Sequence, residues 1–339
     1  MIRNNPILVS FFFVFNSVFY CFGETKYGAS FLRIPVAAMT SGVSEAYSAM
    51  IGPDSVLYNP AGTGLLTYSA ISATHNKYFE GINQEYIAST VYSKYGNFSA
   101  FYSVLTSGDI TAYDNNENII GTTNTSHKFY GITYSKSFPY FDYAAKKIDP
   151  MIITPSWTRI KPVKVYIPKV YRLSFGITAK KVEERLDNET SSTLLFDAGS
   201  VVVLPGHVQF GASVQNIGKS IKFYEEEKVP RVFRIGAAKD FSTVKSIMNF
   251  IFTADYVYDQ SIGGYFNFGF ENDIAKAFQA RVGYTTREKE GSSLSFGIGM
   301  NFDRLISKES FFKGFRMDYA FLNYGVLGPT HRIGFQIVW

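Results

Sequence analysis

The sequence predicts an all-β protein: a transmembrane antiparallel β-barrel of about fourteen strands, with an N-terminal hatch inside its lumen. Three observations lead there. First, side chains alternate in character along extended stretches. In the terminal stretch Ile333, Phe335, Ile337 and Trp339 share one parity, while Arg332, Gly334, Gln336 and Val338 share the other. Leu294, Phe296, Ile298, Met300 and Phe302 likewise alternate with Ser293, Ser295, Gly297, Gly299 and Asn301. A period of two with one greasy face is a strand. Second, the pattern recurs after Leu65 with no helical segment to cover that face, and no later apolar run is long enough for a membrane helix. Whatever crosses a bilayer here must be strand, outer face to lipid and inner face to water or a plug. Third, 17% of the residues are aromatic within a 46% hydrophobic total. Membrane barrels spend aromatics in this way on girdles at both interfaces.

Residues 1–23 read as a secretory signal. Arg3 precedes an apolar run from Ile7 to Phe22, and Cys21 and Gly23 supply small residues at −3 and −1 of a cut after Gly23. The mature chain is expected to begin near Glu24 and to reside in the outer membrane of a Gram-negative-type envelope. Cleavage removes the single cysteine, so disulfide and thiol chemistry drop out. It also removes Arg3 and no acid, lowering the formal charge from +5 to +4. That charge is too mild and too dispersed to argue for nucleic acid.

Residues 24–64 lack the alternation. Pro35, Gly42, Gly52, Pro53, Pro60, Gly62 and Gly64 interrupt the segment, with room for a short helix at Val43 to Met50. A compact irregular segment ahead of a barrel is most simply a hatch. In Asn59-Pro60-Ala61-Gly62, Asn59 is expected to tie the chain by side-chain hydrogen bonds while Pro60 and Gly62 fix and then release the backbone.

The barrel spans residues 65–339, with strands expected near 65–76, 85–95, 97–106, 127–138, 169–182, 192–204, 206–216, 230–239, 246–257, 262–271, 276–286, 292–303, 313–323 and 330–339. An even count puts both ends on the periplasmic side. Short connections at Tyr95-Gly96, Leu204-Pro205-Gly206 and Glu271 to Lys276 then fall on that side, and the long polar Ser107 to Ser126 faces outward. One segment disobeys: 140–168 is a long, proline-rich insertion on the periplasmic side, read as an ordered insertion without its own activity, an arm for a periplasmic or secretion partner, an element folded into the lumen or two further strands.

Enzyme signatures are absent from the sequence. The four histidines sit in no metal-ligand spacing, and there is no nucleophile elbow or phosphate-cradling glycine loop. No cofactor is implied. Asp114 to Asn118 could attract calcium but lacks the fixed spacing of a calcium-binding loop, so a solvated loop is preferred. Parity points Arg172, Lys180, Arg234, Arg281, Arg316 and Arg332 inward, along with Asp197, Asp255, Glu271 and Asp318. Such charges either pair across the interior and hold the hatch, or one or two arginines hold an anionic head group while apolar side chains hold its tail. Arg234, Arg281, Arg316 and Arg332 are the candidates. Phe101 and Leu105 share their parity with Ser99 and Ser103, so they either line the lumen or pack against the hatch.

Blocks along the chain resemble a known family. Gly28-Ala29-Ser30-Phe31-Leu32, Ala46-Tyr47-Ser48-Ala49 and Leu57-Tyr58-Asn59-Pro60-Ala61-Gly62 are similar to the hatch of the FadL-type outer-membrane transporters, and more closely to their PorV/PorQ branch, uncharacterised spirochaetal members included. Val214-Gln215-Asn216-Ile217-Gly218, Val229 to Gly236, Asp318 to Phe321 and Leu327 to Arg332 continue the resemblance. It implies a fourteen-stranded barrel that takes up long-chain fatty acids or other hydrophobic molecules through a pocket and a lateral opening. The alternative within the branch is a component of a secretion system that binds or assembles proteins. Ser41-Gly42-Val43-Ser44 and Gly52-Pro53-Asp54 depart from the pattern, as does 140–168.

Overall fold

The computed structural model describes residues 27–114, 118–139, 172–187, 189–223, 225–241, 248–287, 292–302 and 311–339. The expected signal segment 1–23 and the 140–168 insertion lie outside them. Among the described residues, fourteen antiparallel strands close into one barrel. They are β1 (Ala70–Lys77), β2 (Asn83–Val91), β3 (Asn97–Thr106), β4 (Thr125–Pro139), β5 (Arg172–Leu186), β6 (Glu189–Leu204) and β7 (Val208–Gly218). The circuit continues with β8 (Val232–Asp240), β9 (Met248–Asp259), β10 (Gly263–Ile274), β11 (Phe278–Thr285), β12 (Leu294–Asn301), β13 (Gly314–Asn323) and β14 (Pro329–Val338). Each strand pairs with its neighbour in sequence, and Ala70 pairs with Val338 to shut the ring. The expected β1 began too early: Leu65 belongs to a 3-10 turn, Pro60–Leu65. The long 107–124 connection carries its own small hairpin, Ile110–Tyr113 with Ile119–Thr123.

The two faces sort as the alternation requires. Phe296 and Ile298 on β12 are 47% and 63% exposed, while the alternating Ser295 and Gly297 point inward. On β13, Arg316, Asp318 and Ala320 are buried and Phe315, Met317 and Tyr319 face out. A strand with its charges inside and its phenyl and aliphatic groups outside is stable only where hydrocarbon surrounds the ring, because an arginine on the outer face near the midplane costs about 2–4 kcal/mol.

Residues 27–69 occupy the interior. The segment holds one helical turn, Ala38–Ser41, and the 3-10 turns Ser30–Arg33, Pro53–Leu57 and Pro60–Leu65. The helix expected at Val43 to Met50 does not form. Ser44 and Glu45 take left-handed φ values of 49° and 61°, and the amides of Tyr47 and Ser48 donate to Asp255 Oδ2 at 3.0 and 2.9 Å rather than to carbonyls one turn back. The segment's turns pair many of its backbone groups with one another, and the buried carbonyls left over need partners from elsewhere. Here they come from the wall. Ser213 Oγ donates to Tyr58 O, Gln215 Nε2 to Leu57 O, Ser174 Oγ to Ala61 O, and Asn97 Nδ2 to both Thr63 O and Leu66 O.

Candidate functional site

The Asn59 turn fixes how the interior segment meets the wall. Asn59 caps the Pro60–Leu65 turn, its Oδ1 accepting from Ala61 N at 3.1 Å. Its Nδ2 donates to Ser48 O at 2.7 Å and to Ser200 O at 3.0 Å, so one buried amide joins two parts of the segment to β6. Pro60 opens the turn, where its missing N–H costs nothing. Gly62 acts by closeness rather than by freeing the backbone: a Cβ there would lie 2.6 Å from Met50 O. Asn59→Ala orphans the buried Ala61 amide and two carbonyls, each worth about 1–3 kcal/mol when left unsatisfied. Its urea midpoint in detergent is expected to fall accordingly, with Asn59→Asp, which keeps only the acceptor, in between.

The four candidate arginines are all buried, yet they do different things. Arg281 donates to Glu271 at 2.6 Å and Asp318 at 2.9 Å, and Arg316 gives Asp318 two further bonds at 2.9 and 2.7 Å. These two are structural ions in a compensated network. Arg332 donates to Pro35 O, Thr330 Oγ1 and the Tyr78 hydroxyl, with its guanidinium 5.1 Å from the Tyr78 ring centre. It clamps the segment to β14. Arg234 is held more loosely. Its Nε donates to Gln215 at 3.1 Å and its guanidinium lies over the Tyr58 ring, but its buried Nη1 has no hydrogen-bond partner among the described residues.

Arg234 also borders an interior cavity of about 60 Å³. Leu57 and Tyr58 from the interior segment, and Phe101, Phe129, Lys180, Asp197 and Asn216 from the wall, complete much of its lining. Phe101 stacks its edge toward Phe129, ring centres 6.1 Å apart, and Phe129 in turn meets Phe31 at 6.3 Å. Both sequence readings of Phe101 therefore hold at once, since it lines the cavity and packs on the interior segment. Leu105 is buried in the same apolar cluster without reaching the cavity wall. Deeper in the segment, burial pushes the Asp54 carboxyl up to about 6 and raises the Tyr47 and Tyr58 phenols.

One feature of the site was overlooked in the sequence. Between the pairs Phe196↔Ile217 and Ala198↔Val214, Asp197 on β6 faces two residues of β7, Gln215 and Asn216. Asn216 adopts a left-handed φ of 62°, which makes this a β-bulge. Its amide donates to Asp197 Oδ1 at 2.8 Å, and Lys180 Nζ reaches Asp197 Oδ2 at 2.8 Å. The signal was present: outward apolar residues on β7 sit at even positions 210, 212 and 214, then switch to odd at Ile217. On the outer face beside the bulge lies a groove of about 650 Å³, and Asp197 borders it as well. Asp197 therefore borders both spaces, with its buried carboxylate turned to Lys180 and the Asn216 amide.

Among the described residues no group of His, Cys, Asp and Glu could hold a metal ion. Asp114 accepts from Asn118 N and Nδ2, and 115–117 lie outside the described residues.

No protein-family model and no curated protein sequence matches this chain. Solved structures do. The toluene transporter TbuX of Ralstonia pickettii superposes with a TM-score of 0.52 at 11% identity, covering 88% of this chain and 96% of its own. A FadL homologue of Pseudomonas aeruginosa superposes with a TM-score of 0.50 at 10% identity, covering 90% and 98%. At this identity the likeness establishes the fold: this chain has the closed barrel architecture of FadL-type transporters.

Proposed function

We propose that this protein is an outer-membrane channel for hydrophobic molecules, long-chain fatty acids among them, with residues 27–69 as its hatch. The observation that carries the reading is Asp197, which borders the interior cavity on one side of the wall and the outer groove on the other. A polar solute needs a wet path along the axis, and the hatch fills it. An apolar solute needs only a way from the lumen into the bilayer. At the β6–β7 bulge the ladder is already interrupted, and the Lys180–Asp197 pair is the latch. Arg234 is the head-group residue, because it borders the cavity and hydrogen-bonds a glutamine rather than a carboxylate, whereas Arg281 and Arg316 pair with carboxylates and Arg332 clamps Pro35 and Tyr78. Phe101 and Phe129 offer apolar surface for the tail.

A cavity of about 60 Å³ is far below the roughly 300–1,000 Å³ of ordinary ligand pockets. Loading therefore requires the Leu32 to Ile34 stretch that lines it to withdraw. The test uses the directly paired, outward-facing Ala198 and Val214. In a chain whose single cysteine is Cys21, an Ala198→Cys, Val214→Cys variant stitches the bulge shut when oxidised. Uptake of a labelled fatty acid into proteoliposomes is expected to fall at least tenfold on oxidation and to return with reductant. Uptake indifferent to the redox state rules out departure through this wall.

A further inference from the structure

The connection between β7 and β8 folds into the barrel mouth. Its charged residues Lys219, Lys222, Glu226, Lys228 and Arg231 are exposed, while Ile221, Val229 and Pro230 are buried, Ile221 completely. Ile221 pairs with Glu227 and Lys222 with Glu226, a hairpin too short to keep its shape in water by itself. What holds it is the barrel. Ser191 and Thr193 lie buried on the inner face of β6. Ser191 Oγ accepts from the Lys222 amide at 3.0 Å and donates to the Lys222 carbonyl at 2.5 Å, and Thr193 Oγ1 donates to Lys219 O at 3.0 Å. At the other root, the Asn216 side chain donates to Pro230 O at 2.9 Å while its backbone amide holds Asp197. The hairpin and the bulge therefore share a residue.

The hairpin's inner side rests on the start of the interior segment. Gly28 N donates to Lys228 O at 3.1 Å, and Tyr27 forms a parallel bridge with Lys228. Glycine stands at 28 for closeness: a Cβ there would lie 2.7 Å from Glu227 Oε2 and 2.8 Å from Ile221 Cγ2. Ile221 and Val229 join Ala29 and Phe31 in one apolar cluster with Phe129 and Leu195 of the wall. The even strand count makes this rim the outward one, so a solute from outside meets the hairpin before the cavity. Leu32 to Ile34, which must withdraw for the cavity to fill, follow directly on the residues that the hairpin covers. Lifting the hairpin breaks the Gly28 bond and uncovers Phe31. Withdrawing Gly28 to Phe31 in turn removes the hairpin's apolar floor.

We propose that residues 219–223 and 225–231 form a lid on the outer mouth that moves as one body with Gly28 to Ile34, so that admitting a solute and withdrawing the start of the interior segment are a single step. As a gate the lid rests on the channel reading; as a coupled body it rests on its own contacts. Ser191→Ala, Thr193→Val removes the wall's hold on the hairpin without touching residues 28–34, and heat-modifiable gel mobility confirms that the variant folds. In hydrogen–deuterium exchange, the hairpin and the Gly28 to Ile34 stretch are expected to lose protection together, by about tenfold, while β12 and β13 stay as in the wild type. A hairpin whose exchange is unchanged, or one that frays while residues 28–34 keep their protection, overturns the proposal. The same variant is expected to take up labelled fatty acid about threefold faster in proteoliposomes, and an unchanged rate beside a freed hairpin overturns the gate. The second test bonds the two parts to each other. A Cβ at Gly28 would lie 3.2 Å from Glu227 Cβ, close to the roughly 3.5–4.5 Å that a disulfide spans. In a Cys21→Ser background, oxidised Gly28→Cys, Glu227→Cys is expected to keep the uptake of its reduced form, because the joined parts travel together. Loss of uptake on oxidation means that they separate during loading and overturns the proposal. Absence of uptake in every form, wild type included, defeats the channel reading and the gate with it, and exchange then decides the coupled body.

Discussion

Asp318→Ala is expected to destabilise the barrel by about 3–5 kcal/mol, the usual loss when one partner of a buried ion pair is removed and the other is left behind. Asp318 accepts from Arg281 at 2.9 Å and from Arg316 at 2.7 and 2.9 Å. With Glu271 it balances two guanidinium groups that are each at most 2% exposed. Truncation leaves one carboxylate for two buried cations from β11 and β13. The measurement is the urea midpoint in detergent, read by tyrosine and tryptophan fluorescence and by heat-modifiable mobility. Asp318→Asn, which keeps the shape and an acceptor, is expected to lose less. Asp318→Ala together with Arg316→Met, which restores the balance, is expected to recover much of the difference.

Gly176→Val is expected to drive the Asn59 turn off the wall. A Cβ at Gly176 would lie 2.4 Å from Pro60 C and 2.6 Å from Ala61 N and Pro60 O, all of them backbone atoms that cannot swing aside. Overpacking of this kind costs about 1–3 kcal/mol, and here it falls on the junction that ties residues 27–69 to β5 and β6. Single-channel recording in planar bilayers is expected to show frequent openings in the variant and a quiet wild type. Ile177→Val, one residue on and 62% exposed to lipid, is the control and is expected to leave both stability and conductance unchanged.

The barrel was legible because its constraint is local and repeated. Each strand must hide polar groups from lipid, so parity alone placed Arg281, Arg316 and Asp318 inside and Phe296 and Ile333 outside. The alternation also located all fourteen strands to within a few residues. It said little about residues 27–69, whose conformation depends on donors and acceptors far away in the chain. Val43 to Met50 has helical composition, but Asp255 competes successfully for its amides. The ranking of the arginines was equally hidden. Arg234 and Arg281 look alike as inward cations, and only three-dimensional neighbours separate one with two carboxylates from one with a glutamine and a phenol ring. The bulge at Asn216 was readable in principle, as a change of parity within a single strand.

The wall's supply of hydrogen bonds to residues 27–69 bears on how the molecule is assembled. The segment has only short turns and a small apolar cluster of its own around Met39, Tyr47 and Tyr58, so its full shape depends on the cylinder. The cylinder in turn closes only when β1 pairs with β14, as at Ala70 and Val338, and a contact of that separation in sequence forms late. Rolling up the sheet and seating its stopper are therefore one event. An unclosed intermediate would present two raw edges and an unseated interior segment together.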